Sequence, residues 1–200
     1  MKYVLFIIIA LAPFVACQKE KFTDPPPPPP PDTPSIYVPI YQPGDTSLGA
    51  AHAKKLTASW QAKAVCKIQS YFDTNYISVT LLTYSNNGAQ RESFGFAFIP
   101  RFENNKVYGL KKMTGSTLIP NFVSPGYTTW TSDGDVFEDF YGLDTTATDN
   151  FFRVVSIDPV SNRMEGTFTA TFKIEEPRRN PANPKTVKFS EGRFWAVIRN

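Results

Sequence analysis

The twelve residues Met164-Glu165-Gly166-Thr167-Phe168-Thr169-Ala170-Thr171-Phe172-Lys173-Ile174-Glu175 decide the fold. Met164, Gly166, Phe168, Ala170, Phe172 and Ile174 share one parity; Glu165, Thr167, Thr169, Thr171, Lys173 and Glu175 share the other. Unbroken alternation with period two marks a strand with one face on a core and one in water. The stretch holds no proline, so it can pair on both sides and belongs inside a sheet, with Phe168 and Phe172 buried. Gly166, on the inward parity, predicts a place where a bulky neighbour needs room.

Outward from this strand the pattern repeats. Downstream, Glu176–Pro184 carries three prolines and cannot be regular. Thr186–Phe189 and Arg193–Ile198 then read as strand, with Glu191-Gly192 as a turn or bulge. Upstream, Phe151–Ile157 is a strand closed by Asp158-Pro159, and Tyr127–Thr131 and Val136–Tyr141 flank the hairpin signal Ser132-Asp133-Gly134-Asp135. Met113–Pro125 is ambiguous, and a short strand is expected around Val107–Lys111 after the Asn104-Asn105 turn. Tyr76–Tyr84 is rich in β-branched and aromatic residues, and Ser85-Asn86-Asn87-Gly88 suits a hairpin turn. Phe94, Phe96 and Phe98 alternate along the return strand to Pro100. From Leu56, the residues Leu56, Ala58, Trp60, Ala62, Ala64, Cys66 and Ile68 lie on one parity, although their Ala and Lys neighbours would also suit a helix. The sum is an all-β chain: an antiparallel β-sandwich or small barrel of eight to ten strands.

The N-terminus is of another kind. Met1–Cys17 has one basic residue, Lys2, an apolar run from Tyr3 to Ala12, and small residues leading into Cys17. That is the layout of a secretory signal, and the run falls short of the ~20 apolar residues that span a bilayer. Phe14-Val15-Ala16-Cys17 resembles the lipobox of bacterial lipoproteins, in which the cysteine is acylated and the signal is cut before it; Phe14 stands where a lipobox commonly has Leu. An ordinary signal peptide with a cysteine near its end is the alternative. Seven prolines, Pro25 to Pro31, follow. They read as a polyproline rod of roughly 20 Å that lifts the domain from the membrane. The expected organisation is a signal peptide at 1–16, a lipidated Cys17 with a disordered Pro-rich tether at 17–50, and one all-β domain at 51–200. Acyl chains on Cys17 would anchor the protein to the outer membrane of the cell.

Composition narrows the chemistry. Removal of Lys2 with the signal leaves 20 basic and 18 acidic residues, a balance that points to no nucleic-acid partner. With Cys17 acylated, Cys66 has no partner for a disulfide and is expected to be buried. Seventeen Phe, nine Tyr and three Trp supply the core instead. His52 is the single histidine, in a Gly-Ala-Ala-His-Ala stretch beside the tether. One histidine argues against zinc sites and His-based triads, though not against a carboxylate-pair or tyrosine-based enzyme; no metal, cofactor or catalytic residue is expected.

The C-terminal third carries a further resemblance. Phe152-Arg153-Val154, Met164-Glu165-Gly166-Thr167-Phe168-Thr169-Ala170 and Val187-Lys188-Phe189-Ser190-Glu191-Gly192-Arg193-Phe194 are similar to the ending of uncharacterised Gram-negative lipoproteins with a domain of unknown function. In these a Gly-Thr-Phe strand precedes a Gly-x-Phe strand, and Leu56–Ala62 with Trp60 resembles their domain start. The resemblance implies a small all-β domain on a lipid tether, and no activity.

Four groups remain to be weighed. Asp133, Asp135, Glu138 and Asp139, with Asp144 and Asp149 beyond, could offer oxygen ligands to calcium, but they lack the EF-hand spacing and read better as a solvated hairpin tip. Arg178 and Arg179 read as an exposed loop pair, with recognition as the alternative. Three tryptophans invite a sugar-stacking reading: Trp60 lies on the apolar parity, one of Phe194 and Trp195 must face outward, and Trp130 is the most suited to exposure, but core or strand cover is the better reading of each. Function is then expected in the order binding or structural module, with a glycan or an envelope protein as partner; lipocalin-like carrier with an apolar ligand inside the Phe-rich face; and last, a carboxylate hydrolase.

Overall fold

A computed structural model describes residues 42–71, 74–100, 103–112 and 122–200. The signal segment, Cys17, the proline run and most of the ambiguous Met113–Pro125 stretch lie outside the described residues. Ten strands follow one another without a helix among the described residues: β1 (Gly49–Lys55), β2 (Ala58–Tyr71), β3 (Thr74–Tyr84), β4 (Gln90–Pro100), β5 (Lys106–Leu110), β6 (Phe122–Trp130), β7 (Phe137–Leu143), β8 (Phe151–Asp158), β9 (Arg163–Ile174) and β10 (Thr186–Arg199).

All ten belong to one sheet. β1 pairs with both β2 and β10, and β10 with β9, so the pairings run β1-β2-β3-β4-β6-β7-β9-β10 and return to β1. β7 bridges β6 and β9 toward one end, while β5 and β8 fill the space between the same two strands toward the other. Pairing is antiparallel except for two short parallel contacts, β10 with β2 and β5 with β6. This ring-like arrangement belongs to the expected class of sandwich or small barrel.

β9 is central, as its alternation predicts: it pairs with β7, β8 and β10, and Met164, Gly166, Phe168, Ala170 and Phe172 are all buried. Its glycine has a partner. Gly166 faces Phe194 across the ladder and Gly192 faces Phe168. A Cβ on Gly166 would stand 2.4 Å from the Phe194 ring, and one on Gly192 would stand 2.4 Å from the Phe168 ring. Each glycine is the seat of the other strand's phenylalanine. The expected irregularity at Glu191-Gly192 is a bulge, with a register shift between Phe189 and Gly192 and Glu191 at φ +54°.

The interior is filled with rings. Around Phe94, the centroids of Trp60, Phe96, Tyr127, Phe168, Phe172 and Phe189 stand between 4.6 and 6.5 Å away. Contacts of this kind add to the burial energy of each ring.

Four sequence expectations need correction. Leu56 does not open a strand on the apolar parity; it turns the β1–β2 hairpin at φ +56° and is exposed. Phe98 does not continue the inward row of Phe94 and Phe96. The register slips between Ile77 and Val79, Ile99 takes the buried place, and Phe98 joins Tyr71 and Tyr76 outside at 5.3 and 5.9 Å. Thr169 and Thr171 do not face water, being 7 and 8% exposed. The segment after β7 is tied to Thr171: Asp144 N donates to the Thr171 carbonyl, and Thr171 N donates to Asn150 Oδ1, each at 2.8 Å. Finally, Asp139 is not part of a solvated tip but is 1% exposed.

Candidate functional site

Register places the β1–β2, β3–β4 and β6–β7 turns and the β9–β10 loop at one end of the ring. At this end Glu92 shares the inward parity of Phe94 and Phe96 and is fully buried. Its carboxylate accepts four hydrogen bonds. Oε1 receives Lys55 Nζ and, at 2.6 Å, Tyr127 OH; Oε2 receives Trp60 Nε1 at 2.7 Å and Thr83 Oγ1 at 3.1 Å. Burial alone would push this carboxyl up, but the Lys55 ammonium and the donated hydrogen bonds outweigh it and hold Glu92 below the usual glutamate range. A carboxylate has about four lone-pair sites, and all are engaged here. Glu92 therefore ties β1, β2, β3 and β6 to β4 and keeps no acceptor site for a substrate proton.

The same end is closed by the β9–β10 loop. Asp139 accepts Arg179 N at 2.6 Å and Asn183 Nδ2 at 2.7 Å, while its own amide donates to Thr129 Oγ1. Tyr141 OH donates to the Pro184 carbonyl at 2.9 Å. Arg178 turns back on its own loop, donating to the carbonyls of Asn180, Pro181 and Asn183. Arg179 Nη1 donates to the Phe137 carbonyl. Both arginines thus hold the loop in shape. Of the acidic cluster, Asp133 and Asp135 stay at the exposed tip, Glu138 takes Asn180 and Asn183, and Asp144 caps the next turn through Thr146. Among the described residues no three of His, Cys, Asp and Glu gather as metal ligands.

Other flagged residues sit apart. His52 is exposed on β1 opposite Gln61 and Arg193. Cys66 is buried, and burial pushes its thiol up to about 12. Trp60 is a core residue that donates to Glu92, whereas Trp195 faces outward beneath the Arg163 guanidinium at 4.4 Å.

Trp130 leads to the candidate binding face. β7 carries a bulge: Thr128 faces Phe140 but Trp130 faces Phe137, three steps on β7 against two on β6. Strict alternation from Tyr141 and Asp139 would have sent Phe137 inward; the extra residue turns it out beside Phe140. Phe137 and Phe140 are each 42% exposed, and Val136 beside them is 54% exposed. Trp130 packs against Phe137 at 4.1 Å and Phe137 against Phe140 at 5.2 Å. The Trp130 indole N–H is buried without a hydrogen-bond partner, so the ring presents only its apolar surface. The result is a three-ring strip on the outer face of β6 and β7, next in the chain to the β6–β7 turn that carries the exposed Asp133 and Asp135.

Inside the ring the Phe-rich face packs upon itself. A cavity of about 310 Å³ lies at the opposite end, and a broad groove of about 480 Å³ runs beside Tyr84, Lys63 and Gln42. No family model, curated protein or solved structure matches the chain.

Sequence reasoning singled out Trp130 but missed Phe137, Phe140 and Glu92. A signal existed for Glu92, an acid on the parity of Phe94 and Phe96. None existed for Phe137, whose direction depends on the bulge.

Proposed function

We propose that the protein is a lipoprotein of the cell envelope, held on the outer membrane by acyl chains on Cys17, whose domain is a binding module for a glycan. The anchoring rests on the reading of Met1–Cys17. The ligand class rests on one observation, the exposed strip Trp130–Phe137–Phe140. Exposed aromatic patches mark interaction surfaces. The apolar faces of sugar rings stack on aromatic rings, and the carboxylates of Asp133 and Asp135 in the β6–β7 turn can accept sugar hydroxyls.

Co-sedimentation with insoluble envelope polysaccharide tests the ligand. Wild type is expected in the pellet and the double variant Phe137→Ser, Phe140→Ser in the supernatant, with an unchanged melting curve. Equal pelleting, or none by wild type, would return the face to a protein partner or a structural role. Membrane fractionation and intact-mass analysis of Cys17→Ser test the anchor; a variant that keeps both its membrane location and its mass shift would refute it. The second reading, an apolar ligand enclosed by the Phe-rich face, is weakened by the six rings packed around Phe94.

A further inference from the structure

The end of the ring opposite Glu92 is built differently. Here Ile68 of β2 faces Ile77 of β3, Ile157 closes β8, and Ile198 lies near the end of β10. These four isoleucines line a partly enclosed cavity of about 310 Å³, with Asn162 and Asn200 among its lining. Ile77 and Ile157 are buried, while Ile68 and Ile198 are half-exposed toward the mouth. Asn162 is fixed there by its backbone, its carbonyl accepting Ile198 N at 2.7 Å.

We propose that this cavity is a binding site for a small aliphatic amphiphile with a hydrogen-bonding head, distinct from the aromatic face on β6 and β7. Four branched aliphatic side chains and Pro159 make most of the wall apolar, with Asn162 and Asn200 as its polar part. Apolar cavities of about 150 Å³ stay dry and admit benzene, so twice that space admits roughly twelve non-hydrogen atoms. Binding pockets characteristically join an apolar wall to a few polar groups that orient the ligand. Asn162 and Asn200 supply hydrogen-bonding groups among this lining, which suits an alcohol or amide head. The carrier reading placed a ligand among the phenylalanines; the structure offers the isoleucine end instead.

Isoleucine methyl NMR of the intact protein, titrated with 1-decanol below its aggregation limit, tests this. The δ1 methyls of Ile68, Ile77, Ile157 and Ile198 are expected to shift together and saturably, with that of Ile174, at the other end of the ring, unmoved. Ile198→Phe, at a half-exposed position, fills the mouth and should weaken binding at least about tenfold while leaving the circular dichroism spectrum intact. Ile157→Phe fills the same space from another strand and repeats the test should the first variant fold poorly. Absence of saturable shifts at the four methyls, or shifts spread equally over all isoleucines, overturns the site. Decane binding as tightly as decanol overturns the assigned head group. The glycan reading is untouched by either result, because its test reads Phe137 and Phe140.

Discussion

Replacing Gly192 with Ala asks whether the pairing of glycine with phenylalanine across β9 and β10 holds the core in register. The added Cβ would meet three Phe168 ring carbons at 2.4, 2.5 and 2.6 Å. Phe168 is fully buried, with Phe94 and Phe96 each 5.2 Å away, so its ring cannot retreat. Among the described glycines the left-handed ones are Gly44, Gly88 and Gly134, so Gly192 is needed for space rather than for its backbone. Overpacking of this kind costs ~1–3 kcal/mol, and a short contact with a hemmed-in ring belongs at the upper end. Alanine returns ~0.4–1 kcal/mol by narrowing the unfolded ensemble, which leaves a net loss of ~2 kcal/mol. Phe168→Leu alone should also cost ~2 kcal/mol, since leucine keeps part of the volume whose full loss costs ~3–5 kcal/mol. The decisive measurement is the double variant in urea melts. Leucine vacates the space that the new methyl enters, so the two losses should fall short of their sum by ~1 kcal/mol or more. Additivity within ~0.5 kcal/mol would show that the collision is not what the glycine avoids. Gly166→Ala offers the contrast. One of its three close contacts is the Arg153 carbonyl at 2.7 Å, so Phe194→Leu should rescue it less completely.

Three further outcomes are expected. Glu92→Gln leaves the Lys55 ammonium without its buried counter-charge and should cost ~3–5 kcal/mol, as for other buried pairs broken on one side. Because the Glu92 pKa is lowered in the fold, its contribution is full above the unfolded value near ~4.3 and fades as pH falls through the lower folded value, so the variant's stability should decline less steeply than wild type's in melts between pH 5 and 2; parallel acid limbs would sink the assignment. Asp139→Ala removes the acceptor for Arg179 N and Asn183 Nδ2 and should cost ~1–3 kcal/mol, with faster amide exchange across residues 178–183; unchanged exchange there would mean the loop is held by other contacts. Cys66, buried and with its thiol pushed up to about 12, should resist an aromatic disulfide reagent until denaturant is added, and prompt reaction in the native state would contradict its placement.

Much of the fold is legible in the sequence because a half-buried strand writes its own orientation every second residue. Trp60, Ala62, Ala64 and Cys66 are buried as their parity requires, and so are Phe168, Ala170 and Phe172. The limits have physical causes. β1 is Gly-Ala-Ala-His-Ala-Lys-Lys, short and without a β-branched side chain, and it is a strand because β2 and β10 flank it. Phe98 and Phe137 lie beside register shifts, where one extra residue reverses every prediction made from parity. Thr171 is tied to chain that follows β7, a tertiary contact that no local pattern announces.

Glu92 shows where reading by parity ends. Its position in the series Glu92, Phe94, Phe96 states that an acid points into an aromatic core, which is tolerable only if donors surround it. Those donors stand 37, 32, 9 and 35 residues away, at Lys55, Trp60, Thr83 and Tyr127. Lys55 ends β1, Trp60 lies on the apolar parity of β2, Thr83 on that of β3, and Tyr127 on the inward side of β6. Each alone is an ordinary strand residue. Only closure of the ring brings four strands around one carboxylate, so the stability of the pair depends on closure, and closure in turn is favoured by the pair. A half-formed ring would leave Glu92 buried with too few donors, or exposed with the phenylalanines beside it in water. Removing the charge should therefore reduce the cooperativity of unfolding as well as the midpoint, a signature that the loss of a peripheral ion pair such as Lys54 with Glu191 would not produce.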